Sequence, residues 1–135
     1  LEPDLIEAMG KRPLEVLKAR DLVLVYKSEA DVVALRPNFR KLAAASTFGV
    51  LATAKGDTVD FVSRCFFPAV GIDEDPVTGS AHCSLIPFWA ERLGKKSLSA
   101  LQQSERGGEL FCELKGDRVH ISGCVVPYLK GEITV

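Results

Sequence analysis

Hydrophobic runs separated by glycine and proline divide the chain into short helices and strands. Apolar residues at helical spacing, with Pro and Gly near the ends, predict helices over residues 3–9, 29–35 and 37–45. Runs rich in β-branched and aromatic residues predict strands over residues 22–26, 48–54, 59–67, 98–103, 109–115, 118–122, 124–129 and 132–135. The strand over residues 59–67 should alternate, with Phe61, Cys65 and Phe67 on one face and Val62 and Phe66 on the other.

The longest helix is expected over residues 80–93, ended by Gly94. Its apolar residues cover much of the circumference, which is typical of a helix buried on most sides. Pro87 lies inside it and removes the N–H that would bond the carbonyl of Cys83, so we expect a bend there. The order of elements predicts an α+β domain with one buried helix among strands.

Length and composition indicate a single domain over residues 1–135. The chain is 47% hydrophobic and 26% charged, which is typical of a globular protein. Its net charge of -1 comes from mixed signs without long blocks, so no nucleic acid and no anionic membrane is expected as a partner. The apolar runs are far shorter than the ~20 residues that span a bilayer.

The four cysteines, Cys65, Cys83, Cys112 and Cys124, show no C-x-x-C spacing. Zinc and redox motifs are therefore unsupported, and most of these residues are expected to be buried as small hydrophobes. A disulfide stays open at this point, although a reduced protein is the default. We accordingly expect a cytoplasmic location.

A polar junction precedes the long helix and carries the strongest chemical signal. Three carboxylates end at Asp75, and a Pro-Val-Thr-Gly-Ser turn leads into the helix. The unpaired N–H groups of Gly79, Ser80 and Ala81 can bind an anion, helped by the helix dipole. A carboxylate beside an anion site is a layout for acid–base chemistry on a carboxylate-bearing substrate.

Helix capping alone is an alternative explanation of the same residues. Asp, Thr and Ser are favoured at helix N-termini whether or not a ligand binds there. The acidic triplet lacks the alternating ligands, central Gly and distal Glu of an EF-hand loop, so no metal site is expected.

Several ordered blocks resemble the phenazine-biosynthesis isomerase (PhzF-like) family from about residue 48 onward. They are RCFFP at 64–68, EDPVTGSAH at 74–82, WAERLGK at 89–95, Q-x-S-x-RGG at 102–108 and VHISG at 119–123. The resemblance implies a diaminopimelate-epimerase-like domain, in which a curved mixed β-sheet wraps around a central helix. It also implies a protein about twice this length, with the active site in a cleft between two similar domains.

The family's proton-transferring Glu belongs to its first domain, in a Gly-Asn motif that this sequence lacks. The chain is therefore interpreted as the C-terminal domain of a PhzF-like protein, without the N-terminal domain and inactive alone. A second copy is expected to take the missing domain's place in a homodimer.

The resemblance also implies roles for individual residues. Asp75 matches the catalytic carboxylate, and the backbone amides of Gly79 and Ser80 match the groups that hold the substrate carboxylate. The implied activity is a cofactor-independent isomerase or epimerase that transfers a proton on a small carboxylic acid. The alternative is a non-catalytic half-domain or interaction protein that retains the fold.

Two further polar residues have open roles. Arg64 could orient the acidic loop, pair with a substrate carboxylate, or form a salt bridge of small weight. His82 lies two positions after Ser80, so its ring points about 200° around the helix from it. A hydrogen-bonded structural histidine is the favoured interpretation of His82.

Overall fold

A computed structural model describes residues 3–45 and 48–135. The helices are α1 Pro3–Met9, α2 Glu29–Val33, α3 Phe39–Ala45 and α4 Gly79–Leu93, with one 3₁₀ turn at Pro68–Val70. The strands are β1 Glu15–Lys18, β2 Leu22–Val25, β3 Val50–Lys55, β4 Phe61–Phe67, β5 Ile72–Asp75, β6 Ser97–Gln102, β7 Gly108–Lys115 and β8 Arg118–Ser122.

The eight strands form one mixed sheet in the order β1-β2-β3-β4-β6-β7-β8, with β5 branching from β4. The β2–β3 and β4–β6 pairs are parallel, and the remaining pairs are antiparallel. Strand β4 thus pairs with three neighbours. Its pairing with β5 sets Cys65 opposite Asp75, and the register shifts before Phe67 reaches Ile72.

The two faces of the sheet carry separate hydrophobic cores. Phe61, Cys65 and Phe67 of β4 lie in the core that contains α4. Val62 and Phe66 lie in the opposite core, with α1 and side chains from α2 and α3. The predicted alternation of β4 is therefore confirmed, because successive side chains of a strand point to opposite faces.

Helix α4 is the central element of the fold. Its inward residues pack against side chains from six strands of the sheet, β2, β3, β4, β6, β7 and β8. The indole N–H of Trp89 donates to Oγ1 of Thr53 at 2.9 Å. Gly94 ends the helix with a left-handed φ of 64°. The predicted α+β class, with a curved mixed sheet around a central helix, is confirmed.

Two predicted strands, 124–129 and 132–135, were wrong: these residues form coil that pairs with no described strand. Strand β8 is the last in the sheet, and nothing in the described ranges covers the segment. Its large apolar side chains are 84% to 112% exposed: Val125, Val126, Tyr128, Leu129, Ile133 and Val135. We call residues 124–135 the C-terminal segment.

Candidate active site

Asp75 lies at the end of β5, where the pairing with β4 fixes its backbone. The side chain is half-buried. The hydroxyl of Thr78 donates a short hydrogen bond to Oδ2 of Asp75. The carboxylate is therefore held by the turn that follows it.

A buried glutamine at the end of β6 secures the same turn. Gln102 is fully buried, and its Oε1 accepts a hydrogen bond from the backbone N–H of Thr78 at 2.8 Å. Its Nε2 donates to the carbonyl of Asp75 at 2.7 Å and to Oγ1 of Thr78 at 3.1 Å. Sequence reasoning noted Gln102 only as part of a family block.

The N-terminus of α4 is open to solvent. Thr78 is its N-cap residue in an extended conformation, but its side chain makes no capping bond because it bonds Asp75 instead. Gly79 and Ser80 are exposed. A Cβ added at Gly79 would meet nothing within 4 Å, so the fold itself leaves space beside this backbone. Within the described structure, Asp75 bonds a hydroxyl rather than a helix amide, which argues against pure capping.

Arg20 reaches this N-terminus and was missed by the sequence analysis. Its Nη2 donates to Oγ of Ser80 and to Oδ2 of the buried Asp21, each at 3.0 Å. Its guanidinium lies 5.2 Å from the ring centroid of Phe48. The arrangement places the Arg20–Asp21 ion pair beside the hydroxyl of Ser80. No local signal could have found it, since Arg20 and Ser80 are 60 residues apart.

Arg64 is a buried structural residue. It makes two hydrogen bonds to the carboxylate of Glu74, at 2.7 and 2.9 Å. Its Nη1 donates to the carbonyls of Leu35 at 2.8 Å and Val32 at 3.2 Å. Arg64 thus orients the acidic loop through Glu74, and these partners occupy its guanidinium.

His82 is fully buried in the first turns of α4, with its ring 5.8 Å from that of Phe61. Its Nδ1 donates to the carbonyl of Thr78 at 2.8 Å, which assigns the proton of the neutral ring to Nδ1. Burial lowers the pKa of His82 below its usual value. The residue therefore supports the start of α4 as a neutral hydrogen-bond donor.

The buried His82 should make stability depend on pH. Its pKa is lower in the folded chain than in the unfolded chain, so below about pH 6.5 the unfolded state binds more protons. We expect the free energy of unfolding to fall with decreasing pH there, by at most about 1.4 kcal/mol per pH unit. Urea unfolding at pH 7.5 and 5.5 measures this, and His82→Asn should remove most of the dependence.

The exposed His120 on β8 provides the matched control. His120→Asn should leave the pH dependence in place, because His120 is exposed and the dependence is assigned to the buried ring of His82. Loss of the dependence in His120→Asn but not in His82→Asn would contradict this assignment.

The cysteines differ from expectation. Cys65 and Cys112 are buried, but Cys83 and Cys124 are exposed, and all four are free thiols. Burial raises the pKa of Cys65 to about 12 and that of Cys112 to about 11. Cys65, opposite Asp75, therefore stays a protonated thiol at neutral pH.

No helix in the described parts of the chain has the length and apolar character needed to cross a membrane.

Comparison with known proteins identifies the class of this fold. A PhzF-family crystal structure from Enterococcus faecalis matches with a TM-score of 0.88 and 49% identity, over 91% of this chain and 48% of that one. A phenazine biosynthesis PhzC/PhzF protein from Clostridium difficile matches with a TM-score of 0.87 and 44% identity, over 100% of this chain and 52% of that one. The fold is thus that of the PhzF-type structures.

The sequence comparisons lead to the same family. The family described as "Phenazine biosynthesis-like protein" matches residues 5–131. A Pseudomonas aeruginosa protein named as an uncharacterized isomerase is 55% identical over 131 residues, which is 96% of this chain and 50% of that protein. A similarly named protein of Halalkalibacterium halodurans is 46% identical over 133 residues, again 96% and 50%. The chain belongs to the phenazine biosynthesis-like family, and it spans about half the length of these relatives.

Proposed function

We propose that this chain supplies one half of the active site of a cofactor-independent isomerase, which transfers a proton on a small carboxylate-bearing substrate. Asp75 acts in the proton transfer, and the backbone amides of Gly79 and Ser80 hold the substrate carboxylate. The names of the relatives as isomerases support the reaction class. The geometry around α4 supports the assignment of residues.

The observation that carries the proposal is the open N-terminus of α4 beside a fixed carboxylate. The N-cap residue leaves the first amides of this 15-residue helix without a side-chain acceptor. Such amides favour an anion through hydrogen bonds and the helix dipole. The guanidinium of Arg20, which is paired with Asp21, lies 3.0 Å from Oγ of Ser80 at the same place.

Asp75 is suited to exchange a proton with a ligand bound there. Its Oδ2 accepts the Thr78 hydroxyl, while Oδ1 accepts no hydrogen bond from the described residues. The side chain is half-buried, so it is fixed but accessible. A positioned carboxylate in this situation typically contributes a factor of about 10²–10⁴ to a proton-transfer step.

The exposure of Gly79 and Ser80 suggests that the other wall of the site comes from a second domain. The relatives are about twice as long as the matched region, which leaves room in them for such a domain. We propose that this domain carries the partner Glu and that residues 1–135 alone are inactive. Four free thiols agree with a cytoplasmic location for the protein.

Replacing Gly79 by Ala tests the anion site. Because the Cβ of a helical residue tilts toward the N-terminus, the methyl group enters the anion's space without meeting protein atoms. We expect anthranilate, used as a small carboxylate probe, to bind at least about 10-fold more weakly, while the domain gains up to about 1 kcal/mol of stability. An NMR titration and urea unfolding measure the two effects.

Gly131→Ala is the matched control, since Gly131 also has nothing within 4 Å of an added Cβ but lies in the C-terminal segment. It should leave anthranilate binding unchanged. If the amide resonances of Gly79 and Ser80 do not move in the wild-type titration while others do, the anion site lies elsewhere. The non-catalytic alternative would then be favoured.

A further inference from the structure

We propose that Gln102 is a positioning residue that acts through Thr78 to keep Oδ2 of Asp75 as a hydrogen-bond acceptor, which leaves Oδ1 as the oxygen that exchanges the proton. This inference rests on the proposed function, because it assigns the proton-carrying atom of the same site. It gives roles to Gln102 and Thr78, to which the sequence analysis assigned none.

The direction of the hydrogen bonds follows from the donors and acceptors present. Nε2 of Gln102 can only donate, and it lies 3.1 Å from Oγ1 of Thr78. Oε1 of Gln102 already accepts the backbone N–H of Thr78. The single hydroxyl proton of Thr78 therefore goes to Oδ2 of Asp75, which is its acceptor among the described residues.

This ordered chain has a consequence for protonation. Gln102 donates to Thr78, and Thr78 donates to Asp75, so each bond polarises and strengthens the next. A proton added to Oδ2 would displace the Thr78 hydroxyl, whereas a proton added to Oδ1 leaves the chain intact. Oδ1 is thus the favoured site of protonation.

The residues after Gln102 hold the same turn from the other side. Oγ of Ser104 donates to the carbonyl of Pro76 at 2.8 Å. A Cβ added at Gly108 would lie 2.2 Å from Cγ2 of Val77, so only glycine permits β7 to pass this close. The blocks at 74–82 and 102–108, separate in sequence, therefore form one structure that fixes Asp75.

Two variants interrupt the chain at different links. Gln102→Met keeps the approximate size of the side chain, but it has no N–H that could donate to the Thr78 hydroxyl. Thr78→Val removes the hydroxyl and keeps the backbone N–H that Gln102 accepts. Thr78→Ser retains a hydroxyl and serves as the matched control.

Two measurements on the 135-residue chain test the proposal. The first is the exchange rate by NMR of the hydroxyl proton at position 78, which should increase at least about 10-fold in Gln102→Met and stay within about 3-fold of wild type in Thr78→Ser. The second is the pH profile of anthranilate affinity. The profile should shift along the pH axis by about half a unit or more in Gln102→Met and Thr78→Val, which interrupt the hydrogen-bond chain to Oδ2 of Asp75, and keep its wild-type position in Thr78→Ser.

The outcomes separate this inference from the proposed function. If wild type does not bind anthranilate, the proposed function fails, and the hydroxyl exchange rate still tests the hydrogen-bond chain. If wild type binds but neither variant moves the pH profile, the positioning role of Gln102 is wrong. An unchanged exchange rate in folded Gln102→Met would also overturn it, and if that variant does not fold, Thr78→Val decides through the pH profile.

Discussion

Replacing Arg64 by Met is expected to destabilise the domain by about 3–5 kcal/mol, as for other broken buried ion pairs. The substitution leaves the partly buried carboxylate of Glu74 without its two hydrogen bonds. It also removes the donor to the carbonyls of Val32, in the last turn of α2, and Leu35, just after the helix. Each buried acceptor left without a partner costs further free energy. Urea unfolding monitored by circular dichroism measures the loss.

Arg92 offers a control with matching contacts and different burial. Its guanidinium pairs with Glu15 and lies 4.4 Å from the ring centroid of Phe88. The guanidinium of Arg64 likewise lies 5.1 Å from the ring centroid of Phe66. The Arg92 and Glu15 side chains are each 40% exposed, against 10% for Arg64 and 19% for Glu74. Arg92→Met should therefore cost about 1 kcal/mol or less. Equal losses in the two variants would show that burial does not set the effect.

Elements with a strong local pattern were predicted, and those formed by pairing were not. Helix α4 and the alternation of β4 follow from the spacing of their own apolar residues. The short strands β1 and β5 read EVLK and IDED, without an apolar face that would indicate a strand. They are strands because their backbones bond β2 and β4. A single sequence does not reveal such pairing.

The same limit applies to the candidate site. The turn from Asp75 to Ser80 was predicted because its residues are contiguous and precede a clear helix. The bonds from Arg20 to Ser80 and from Gln102 to Thr78 join residues 60 and 24 positions apart. Only the sheet order, which places β6 beside β4, brings Gln102 to the turn. Local pattern thus indicated the candidate site, and the fold brings Arg20 and Gln102 to it.

The C-terminal segment should drive self-association of the 135-residue chain. It was predicted as strand, and its large apolar side chains, at 84% to 112% exposure, lack a partner within the described structure. We propose that a second copy of the chain covers them. Burying a large apolar side chain contributes about 1.5–3 kcal/mol. Ordering the segment costs conformational entropy, which offsets part of this gain. Even a net binding free energy of about 3 kcal/mol lowers the dimer Kd roughly 100-fold.

Removing residues 124–135 should therefore weaken dimerisation by about 100-fold in sedimentation velocity, because the apolar area that drives it is lost. A chain in which Gly and Ser replace these residues at equal length controls for chain length and should behave like the truncation.

A competing interface would use Phe48, Val70 and Ile72. These apolar side chains lie around the end of β4 and are 42% to 53% exposed. In that case truncation leaves the dimer intact and Ile72→Lys dissociates it. A full-length chain that stays monomeric at high micromolar concentration would contradict both interfaces, since neither apolar surface would then be covered by a second copy.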